Sequence, residues 1–519
     1  MSIYNEYPSL KITENDLSQY TPPVQPAAVR VGVVGFSNWG KIGKAIPINF
    51  GERVKKIGTP DPADKLAHTA ISIILGLQSV GCLFWRIPRT GEAAASGELT
   101  LFTKDGDPEA DPVIPDEDFI IKFKAKYKGS FGNKIKVKVI QEVETVGTEE
   151  FISYNLQVIA NETVVNTYNN VDFFDTNSTR YISIVLDGNE FIEFDEIVNT
   201  GELTQSDLDD IFTNYVEVEL EDGEDGTNPV DDTALKTKYT EEIVKFKNLN
   251  EGRMVFILDT YKEFDAGIIN GYLSLCGERK DCFLLTSTEA GIENPGTLNT
   301  DIAGVNSTSR GAIYTGWDTI YSNFYNEFIR IPSSFNVLRG FFSLARIWDP
   351  MAGHNSNGFY QGSKLDVLLN EAEAMPVLQG RRGVINPIIK ENDGFYIKGQ
   401  KTLLKSDTAL NRINTRLALT ALTFEVYDDL KTRQFITFNI PTERDDIVRT
   451  LNKLATKYIG TGLESIFFTC DEVLNEQNVV NDNALIVQID ATPLKTNEKI
   501  GIIVNIHESG WTIEERIIE

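Results

Sequence analysis

The sequence predicts a multidomain protein of the α+β or α/β class, with an α/β core, an inserted all-β domain and extended N- and C-terminal strand arms. Helical and strand patterns alternate in residues 29–90 and again after residue 231, as in an α/β core. Residues 91–230 hold short alternating runs punctuated by Gly, Asp, Thr and Asn, which favour strands. Both ends of the chain carry apolar residues at every second position, which predicts terminal strands.

These patterns divide the chain into six segments, and the insertion splits the core in two. A proline-rich stretch at 20–26 favours polyproline geometry and spaces the first arm away from the body. The segments are an N-terminal linker arm (1–28), the first part of the core (29–90), the inserted β-rich outer domain (91–230), the second part of the core (231–390), a C-terminal domain (391–498) and a C-terminal strand arm (499–519).

The first part of the core begins with a buried strand at 29–36. Asp61 is a suitable N-cap and Pro62 suits the first helical position, so we expect a helix from 61 to about 79. A strand at 82–87 follows it.

In the inserted domain we expect strands at 119–123, 135–140, 152–159 and 181–186. Acidic clusters flank this domain on both sides, which indicates a solvated, outward-facing position.

In the second part of the core, strands at 254–258 and 282–286 enclose a helix at 263–277, a βαβ pattern. Two further helices are expected, one capped by Asp407 and running to 427, and one opened by Thr442 and Asp445 and ending at Gly460.

Composition narrows the possible partners and compartments. The 49 Lys and Arg against 76 Asp and Glu give a net charge of −27, which argues against binding to nucleic-acid backbones. The four cysteines form no disulfide framework, as expected for folding in a reducing cytoplasm. The N-terminus lacks the features of a secretory signal, and the apolar run 69–85 is too short to span a membrane, so we expect no direct membrane insertion.

Local motifs predict no catalytic, cofactor-binding or metal-binding residues, and no enzyme. The stretch GFSNWGK at 35–41 has phosphate-loop spacing, but Ile42 replaces the hydroxyl residue and Pro47 disfavours the helix that should follow. The acidic run 221–226 lacks the spacing of an EF-hand, so a solvated turn fits better. The three histidines and the C-x5-C pair have no metal-site spacing.

The terminal runs are predicted to be intermolecular strands, because an unpaired apolar strand would make a monomer prone to aggregate. This pattern indicates a protein that polymerises. The residues expected in these strands are Ile3, Tyr4, Tyr7, Ile500, Ile502, Val504, Ile506, Trp511, Ile513 and Ile517.

Several short motifs resemble those of contractile tail sheath proteins from bacteriophages and related injection systems. YKGSFGNKIKV at 127–137 resembles their Y-x-G-x-x-G-N motif, and LEDGEDG at 220–226 is similar to their L-x-G-G-x-D-G turn, with Asp222 in place of the first Gly. Further similar stretches, in the family's order, are GCLFWR (81–86), CGERKDCFLLT (276–286), GQKTL (399–403), INTRL (413–417), FN (438–439) and ATP (491–493). Lys401 and Leu417 replace family arginines, and 331–362 is only loosely similar.

The resemblance implies a structural subunit that forms hexameric rings stacked around an inner tail tube, with terminal arms that add strands to neighbouring subunits. It also implies a tail tube protein, baseplate proteins and tail terminator proteins as partners, assembly in the host bacterial cytoplasm, and a place in the contractile tail of a virion. Contraction would drive the tube through a target envelope without nucleotide. The alternatives are an ATP-dependent assembly protein using 35–41, or a capsid or surface-layer protein using strand exchange.

We predict that the tube is held by the helix at 443–458, since charged contacts at a partly wet surface are individually weak and can be released together. The residues expected to touch the tube are Asp445, Asp446, Arg449, Lys453 and Lys457.

Overall fold

The computed structural model describes most of residues 30–496. Outside the described residues lie 1–29, 50, 65, 78–80, 107–108, 110–115, 147, 213, 248–253, 260–263, 292–297, 299–301, 324, 356–357, 361, 363, 371, 375–383 and 497–519. The strands are β1 (Arg30–Gly35), β2 (Ile46–Ile48), β3 (Cys82–Arg86), β4 (Ser96–Lys104), β5 (Glu117–Ala125), β6 (Ile135–Val146), β7 (Glu149–Ala160), β8 (Thr163–Tyr168), β9 (Ile192–Asn199), β10 (Tyr215–Glu219), β11 (Met254–Leu258), β12 (Phe283–Ser287), β13 (Gly311–Tyr314), β14 (Trp317–Ser322), β15 (Glu327–Pro332), β16 (Phe359–Tyr360), β17 (Ile385–Asn386), β18 (Ile388–Glu391), β19 (Gly394–Ile397), β20 (Leu463–Thr469) and β21 (Gln488–Pro493). The α-helices are α1 (Arg53–Ile57), α2 (His68–Gly76), α3 (Ile182–Val185), α4 (Gln205–Ile211), α5 (Asp232–Lys247), α6 (Ala266–Arg279), α7 (Ser333–Ser343), α8 (Ile413–Arg433), α9 (Pro441–Ala455) and α10 (Gln477–Asn481), with 3-10 helices at Ser130–Lys134, Ala409–Asn411 and Thr456–Tyr458.

A seven-stranded sheet forms the centre of the molecule, in the order β17-β13-β12-β11-β1-β3-β2. Its neighbouring strands run parallel, except that β2 pairs antiparallel with β3. In β1, Val31 lies opposite Cys82 on one side and Phe256 on the other. Strands from before residue 90 and after residue 254 therefore share one sheet, and the predicted α/β core is present.

Helices cover both faces of this sheet because its strands are apolar on both sides. Val31 and Val33 of β1 share a buried cluster with residues of α2 and α7. Val34 shares a second cluster with residues of α5 and α6. Side chains alternate across a strand, so β1 supplies both layers of the core.

Two predicted helix starts are wrong. Helix α2 begins at His68, because the Asp61 side chain accepts a hydrogen bond from the Ala63 N–H (2.8 Å) in a local turn. Helix α8 begins at Ile413, and Asp407 precedes a 3-10 turn in which Asn411 donates to its side chain (3.4 Å). At both places the aspartate stabilises a turn instead of a helix N-terminus.

Residues 96–219 form two antiparallel sheets over a common apolar core. The strand orders are β4-β5-β9 and β10-β6-β7-β8. Leu99 and Ile121 from the first sheet pack in one cluster with Val137 and Leu156 from the second. We call residues 96–219 the β-rich region, because helices α3 and α4 contradict the prediction that it is all-β.

The stretch 181–186, predicted as a strand, contains helix α3. Ile182 and Leu186 are 0% and 3% exposed, whereas Ile184 between them is 50% exposed. Burial at positions i and i+4 has the helical period, so a helix places both buried side chains on one face.

The C-terminal part of the chain packs directly on the core. Leu417 of α8, Leu451 of α9 and Phe468 of β20 belong to the same buried cluster as Val31. Strands β20 and β21 form an antiparallel hairpin, and β14–β15 and β16-β19-β18 form two further small sheets. Among the described helices, none combines the length and apolarity needed to cross a bilayer.

Candidate functional site

The loop after β1 carries the phosphate-loop spacing at 35–41. The chain continues from this loop to β2 instead of into a helix. The carbonyl oxygens of Ser37 and Gly40 accept hydrogen bonds from the Arg86 guanidinium (3.1 and 2.9 Å). A phosphate-binding loop presents N–H groups to an anion, whereas this loop presents carbonyl oxygens to a cation. The geometry does not fit a nucleotide site.

Arg86 is the centre of a buried polar network. Its guanidinium also donates to the Lys128 carbonyl (2.9 Å) and pairs with the Glu92 carboxylate (3.2 Å). The side chains of Arg86 and Glu92 are 0% and 2% exposed. Burial raises the pKa of Glu92, and the neighbouring Arg86 acts in the opposite direction. One side chain thus joins core strand β3, the loop after β1 and the β-rich region.

Two of the motifs that resemble sheath proteins bind each other. The Asp225 carboxylate accepts hydrogen bonds from the Ser130 N–H (2.6 Å) and hydroxyl (2.8 Å). The Asn133 side chain donates to the Gly223 carbonyl (2.9 Å) and accepts from the Gly223 N–H (2.7 Å). We call these four hydrogen bonds the clasp. The Asp225 carboxylate therefore has a structural role, while Glu221, Asp222 and Glu224 in the same acidic run are exposed.

The clasp lies against the loop after β1. Gly129 has φ +125°, and a Cβ there would lie 2.1 Å from the Asn38 carbonyl oxygen, which explains a glycine at this position. Trp39 is fully buried, its ring centroid lies 5.1 Å from that of Tyr127 and 5.2 Å from that of Phe131, and its indole N–H donates to the Lys55 carbonyl (3.0 Å). The core therefore inserts a tryptophan into the β-rich region. We call the Arg86 network, the clasp and Trp39 together the junction.

Sequence reasoning found the parts of the junction as separate motifs but missed that they meet. Ser130 and Asp225 are far apart in the sequence, so no periodicity links them. The sequence feature that could have indicated this contact is the residue content of the two motifs. The motif at 127–137 has two glycines and an asparagine, and the motif at 220–226 has two glycines and Asp225, residue types that are typical of tight backbone contacts.

The predicted tube-contact residues lie on α9 and the 3-10 turn after it. The helix has Pro441 at its first turn, and the chain passes through Gly460 with φ +90°, close to the predicted ends. Asp445, Arg449 and Lys453 are exposed on one face of the helix.

The other two predicted tube-contact residues are bound within the subunit. Asp446 pairs with Arg433 of α8 (2.9 Å) and with Arg449. These hydrogen bonds, Arg433 first, lower the pKa of Asp446. Lys457 pairs with Glu425 of α8 (2.6 Å). The structure therefore divides the predicted set into three outward residues and two that tie α9 and the turn after it to α8.

The predicted intermolecular strand residues, Ile3, Tyr4 and Tyr7 at one end and Ile500 to Ile517 at the other, lie outside the described residues. The described chain leads to the second of these segments through β21 of the β20–β21 hairpin. Phe467 on β20 is 65% exposed.

His354 lies in an ionic cluster that its sequence position did not reveal. Its Nδ1 is 2.8 Å from a Glu391 oxygen, and its Nε2 is 3.9 Å from Asp393. Glu391 also pairs with Lys398 (2.8 Å), and the His354 ring lies over Tyr396 (4.3 Å between centroids). These residues connect the loop after α7 to the β18–β19 turn.

All four cysteines are free thiols and are buried. Burial raises the pKa of the Cys82 thiol to about 12 and that of Cys470 to about 11. Such thiols stay protonated and unreactive at neutral pH.

Comparison with known proteins gives matches at the level of structure. No protein-family model matches the sequence, and no curated protein gives a significant match. A sheath tail protein from Listeria innocua is 16% identical, with a TM-score of 0.57 over 91% of this chain and 94% of that chain. The sheath of an extracellular contractile injection system, PVC, in its contracted state is 13% identical, with a TM-score of 0.51 over 97% and 98%. The chain therefore has the fold of contractile tail sheath proteins, and the resemblance predicted from its motifs is confirmed in the fold.

Proposed function

We propose that the protein is a structural subunit of a contractile tail sheath. Its copies form hexameric rings that stack around an inner tail tube, and contraction drives the tube through the envelope of a target cell. The observation that carries this proposal is the likeness to a sheath tail protein along 91% of this chain and 94% of the other.

Assembly in this proposal uses the two terminal segments. Residues 1–28 and 499–519 each add a strand to a sheet on a neighbouring copy, by the pairing that edge strands offer. Such head-to-tail contacts do not close on themselves and build a filament. The ends of the filament would meet baseplate and tail terminator proteins.

The β-rich region would face outward from the particle. Its outer face carries charged side chains that already pair with each other: Lys122 with Glu196 (2.9 Å) and Glu98 (3.4 Å), and Lys126 with Glu193 (2.8 Å). Burying ion pairs that are already formed and solvated costs desolvation energy and adds little attraction, so such a surface is not favoured as an interface. This replacement removes the partners of Arg86 and Trp39, so its test needs a core that is still folded. With the core folded, a chain in which a short Gly/Ser linker replaces 91–230 should still form sheath.

The tube would contact the exposed face of α9 through Asp445, Arg449 and Lys453. Exposed charged contacts contribute about 0–1 kcal/mol each, so a set of them holds the tube yet releases it on firing. Energy for contraction would be stored as the difference between two packings of the same subunits, which requires no nucleotide.

Electron microscopy of the purified full chain tests the proposal. A sheath subunit should give hollow tubes of stacked rings, with and without co-expressed tube protein. Flat sheets would identify a surface layer and closed shells a capsid, and either result would contradict the proposal. A chain that stays monomeric at all concentrations and salts would also contradict it.

A further inference from the structure

The connector between α8 and α9, residues 434–440, exposes large apolar side chains. Phe435, Ile436 and Phe438 are 81%, 74% and 76% exposed, and Ile440 is 46% exposed. Soluble proteins usually scatter such residues singly, and a contiguous exposed apolar patch marks an interaction site. Four large apolar residues within six positions form such a patch.

The connector is held in place, so its apolar residues are presented on a fixed backbone. The Arg433 carbonyl accepts hydrogen bonds from the N–H groups of Ile436 (3.1 Å) and Thr437 (3.2 Å) and from the Thr437 hydroxyl (3.2 Å). Arg433 itself is fixed by its pairing with Asp446. The first half of the connector is therefore tied to the end of α8.

Asn439 fixes the second half. Its side chain donates to the Ala484 carbonyl (2.7 Å) and the Asn475 side chain (3.2 Å), and it accepts from Arg444 (2.7 Å). Arg444 is 6% exposed. Phe435 and Phe438 thus project from a backbone anchored at both ends.

The backbone conformation at Phe435 is unfavourable. Its φ is +67°, in the left-handed region that residues with a Cβ avoid. This conformation accompanies a phenylalanine side chain that is 81% exposed. Local strain of this kind is kept where the surrounding structure imposes it, and it clusters at functional positions.

We propose that the connector docks onto a second copy of this chain and is buried in the polymer. This inference rests on the proposed function, since it assumes self-assembly, and it adds an interface distinct from the terminal strands. The connector carries no charged residue, so two copies that each carry a net charge of −27 can approach here without bringing like charges together.

A second copy fits this patch better than the tube does. A tube contact must be given up on firing, whereas apolar contacts typify interfaces that stay assembled. The two phenylalanines bury about 150–250 Å² each when covered, less than the roughly 800 Å² per partner of a stable interface. The connector would therefore be the apolar centre of a larger contact between subunits.

Replacing both phenylalanines by serine, Phe435→Ser with Phe438→Ser, tests the contact. Both side chains are exposed, so the monomer should unfold at an unchanged temperature. The critical concentration for polymerisation, measured by sedimentation, should rise at least about tenfold, because each phenylalanine loses its apolar burial. The matched control is Val143→Ser with Phe151→Ser in the β-rich region, where the side chains are 52% and 54% exposed. This control should polymerise like the wild type.

A photo-cross-linking amino acid at position 438 identifies the occupant. An adduct between two copies supports the proposal. An adduct to the tube protein, an intramolecular adduct at monomer mass, or no adduct in assembled tubes would overturn it. Equal critical concentrations for the double variant and the wild type would also overturn it. If the full chain forms no tubes, the proposed function fails, and the cross-link in concentrated solution still decides this contact: copy-to-copy adducts support it and their absence removes it.

Discussion

The junction around Arg86 and the connector between α8 and α9 use their side chains in opposite ways. At the junction, a guanidinium, a carboxylate and an indole are buried, and each has a partner within the subunit. In the connector, Phe435 and Phe438 are 81% and 76% exposed on an anchored backbone. The first arrangement keeps two parts of one chain together as a unit, and the second offers apolar surface to another molecule.

This comparison indicates where a sheath subunit should be rigid and where it should connect. A particle that contracts by rearranging its subunits needs bodies that do not come apart and contacts that persist. The junction meets the first need because Arg86, Asp225 and Trp39 each form hydrogen bonds within the subunit. The connector and the terminal segments are our candidates for the second.

Deletion of residues 511–519 should have the largest effect on contacts between subunits. We expect a folded, soluble monomer that makes no long tubes, because the segment that we propose to pair with a neighbouring copy is gone. Negative-stain microscopy and sedimentation measure the loss, and thermal unfolding of the monomer serves as the control. Normal tubes from the truncated protein would show that this segment is not a link.

Arg86→Met should have the largest effect on the stability of the subunit itself. It leaves the Glu92 carboxylate buried without its cation and the carbonyls of Ser37, Gly40 and Lys128 without their donor, so we expect a loss of about 3–5 kcal/mol in unfolding free energy. Denaturant titration of the monomer measures it.

The double variant Arg86→Met with Glu92→Met should recover part of that loss, since no unpaired charge remains buried. Arg449→Met on the exposed face of α9 is the control for removing an arginine and should change stability by less than about 0.5 kcal/mol. If Arg86→Met costs no more than this control, the junction does not hold the subunit together.

Asp225→Ala should have an intermediate effect. It removes the acceptor of two hydrogen bonds from Ser130 and opens half of the clasp, which we expect to cost about 1–3 kcal/mol. Glu224→Ala, in the same turn but exposed, is the matched control. Protease cleavage between the β-rich region and the core should also become faster in Asp225→Ala alone. Similar stabilities and cleavage rates for the two variants would refute a structural role for the clasp.

Charge reversal on α9 should have the smallest effect. Arg449→Glu with Lys453→Glu should weaken co-assembly with the tube, by about 0–1 kcal/mol for each ion pair to the tube that is removed, and leave tube-free polymers intact. Lys41→Glu with Lys44→Glu changes the net charge equally on an exposed core loop and should bind tube normally. Co-pelleting with purified tube distinguishes them, and equal binding by both variants would place the tube interface elsewhere.

The parts of this fold that sequence patterns predicted are those with strong local signals. Strand β11 matches its predicted bounds because five consecutive apolar residues leave little choice. Helix α3 was mistaken for a strand because β-branched residues favour strands, while the period of burial that decides for a helix depends on the tertiary core. The starts of α2 and α8 were misplaced because aspartate caps turns as well as helices.

The candidate sites were predicted less completely than the fold. The outward positions of Asp445, Arg449 and Lys453 follow from helical period, but the pairing of Lys457 with Glu425 depends on how α8 and α9 pack. The connector has no distinguishing pattern in the sequence, because exposure of Phe435 is a property of the folded chain. Apolar residues in a sequence are usually buried, so the pattern alone would place Phe435 in the core.

The order of strands in the central sheet has a consequence for synthesis. β1 lies between β3 and β11, so it lacks one neighbour until the ribosome has made the whole β-rich region and the strand after it. Strand pairs this distant along the chain form slowly, and an open strand edge on a nascent chain invites aggregation. We therefore expect the β-rich region to fold first during translation. Until then the amino-terminal strands remain incompletely paired, and chaperones would be needed to prevent their aggregation. A truncated chain that stops before residue 254 lacks β11, β12, β13 and β17 and therefore cannot complete the sheet.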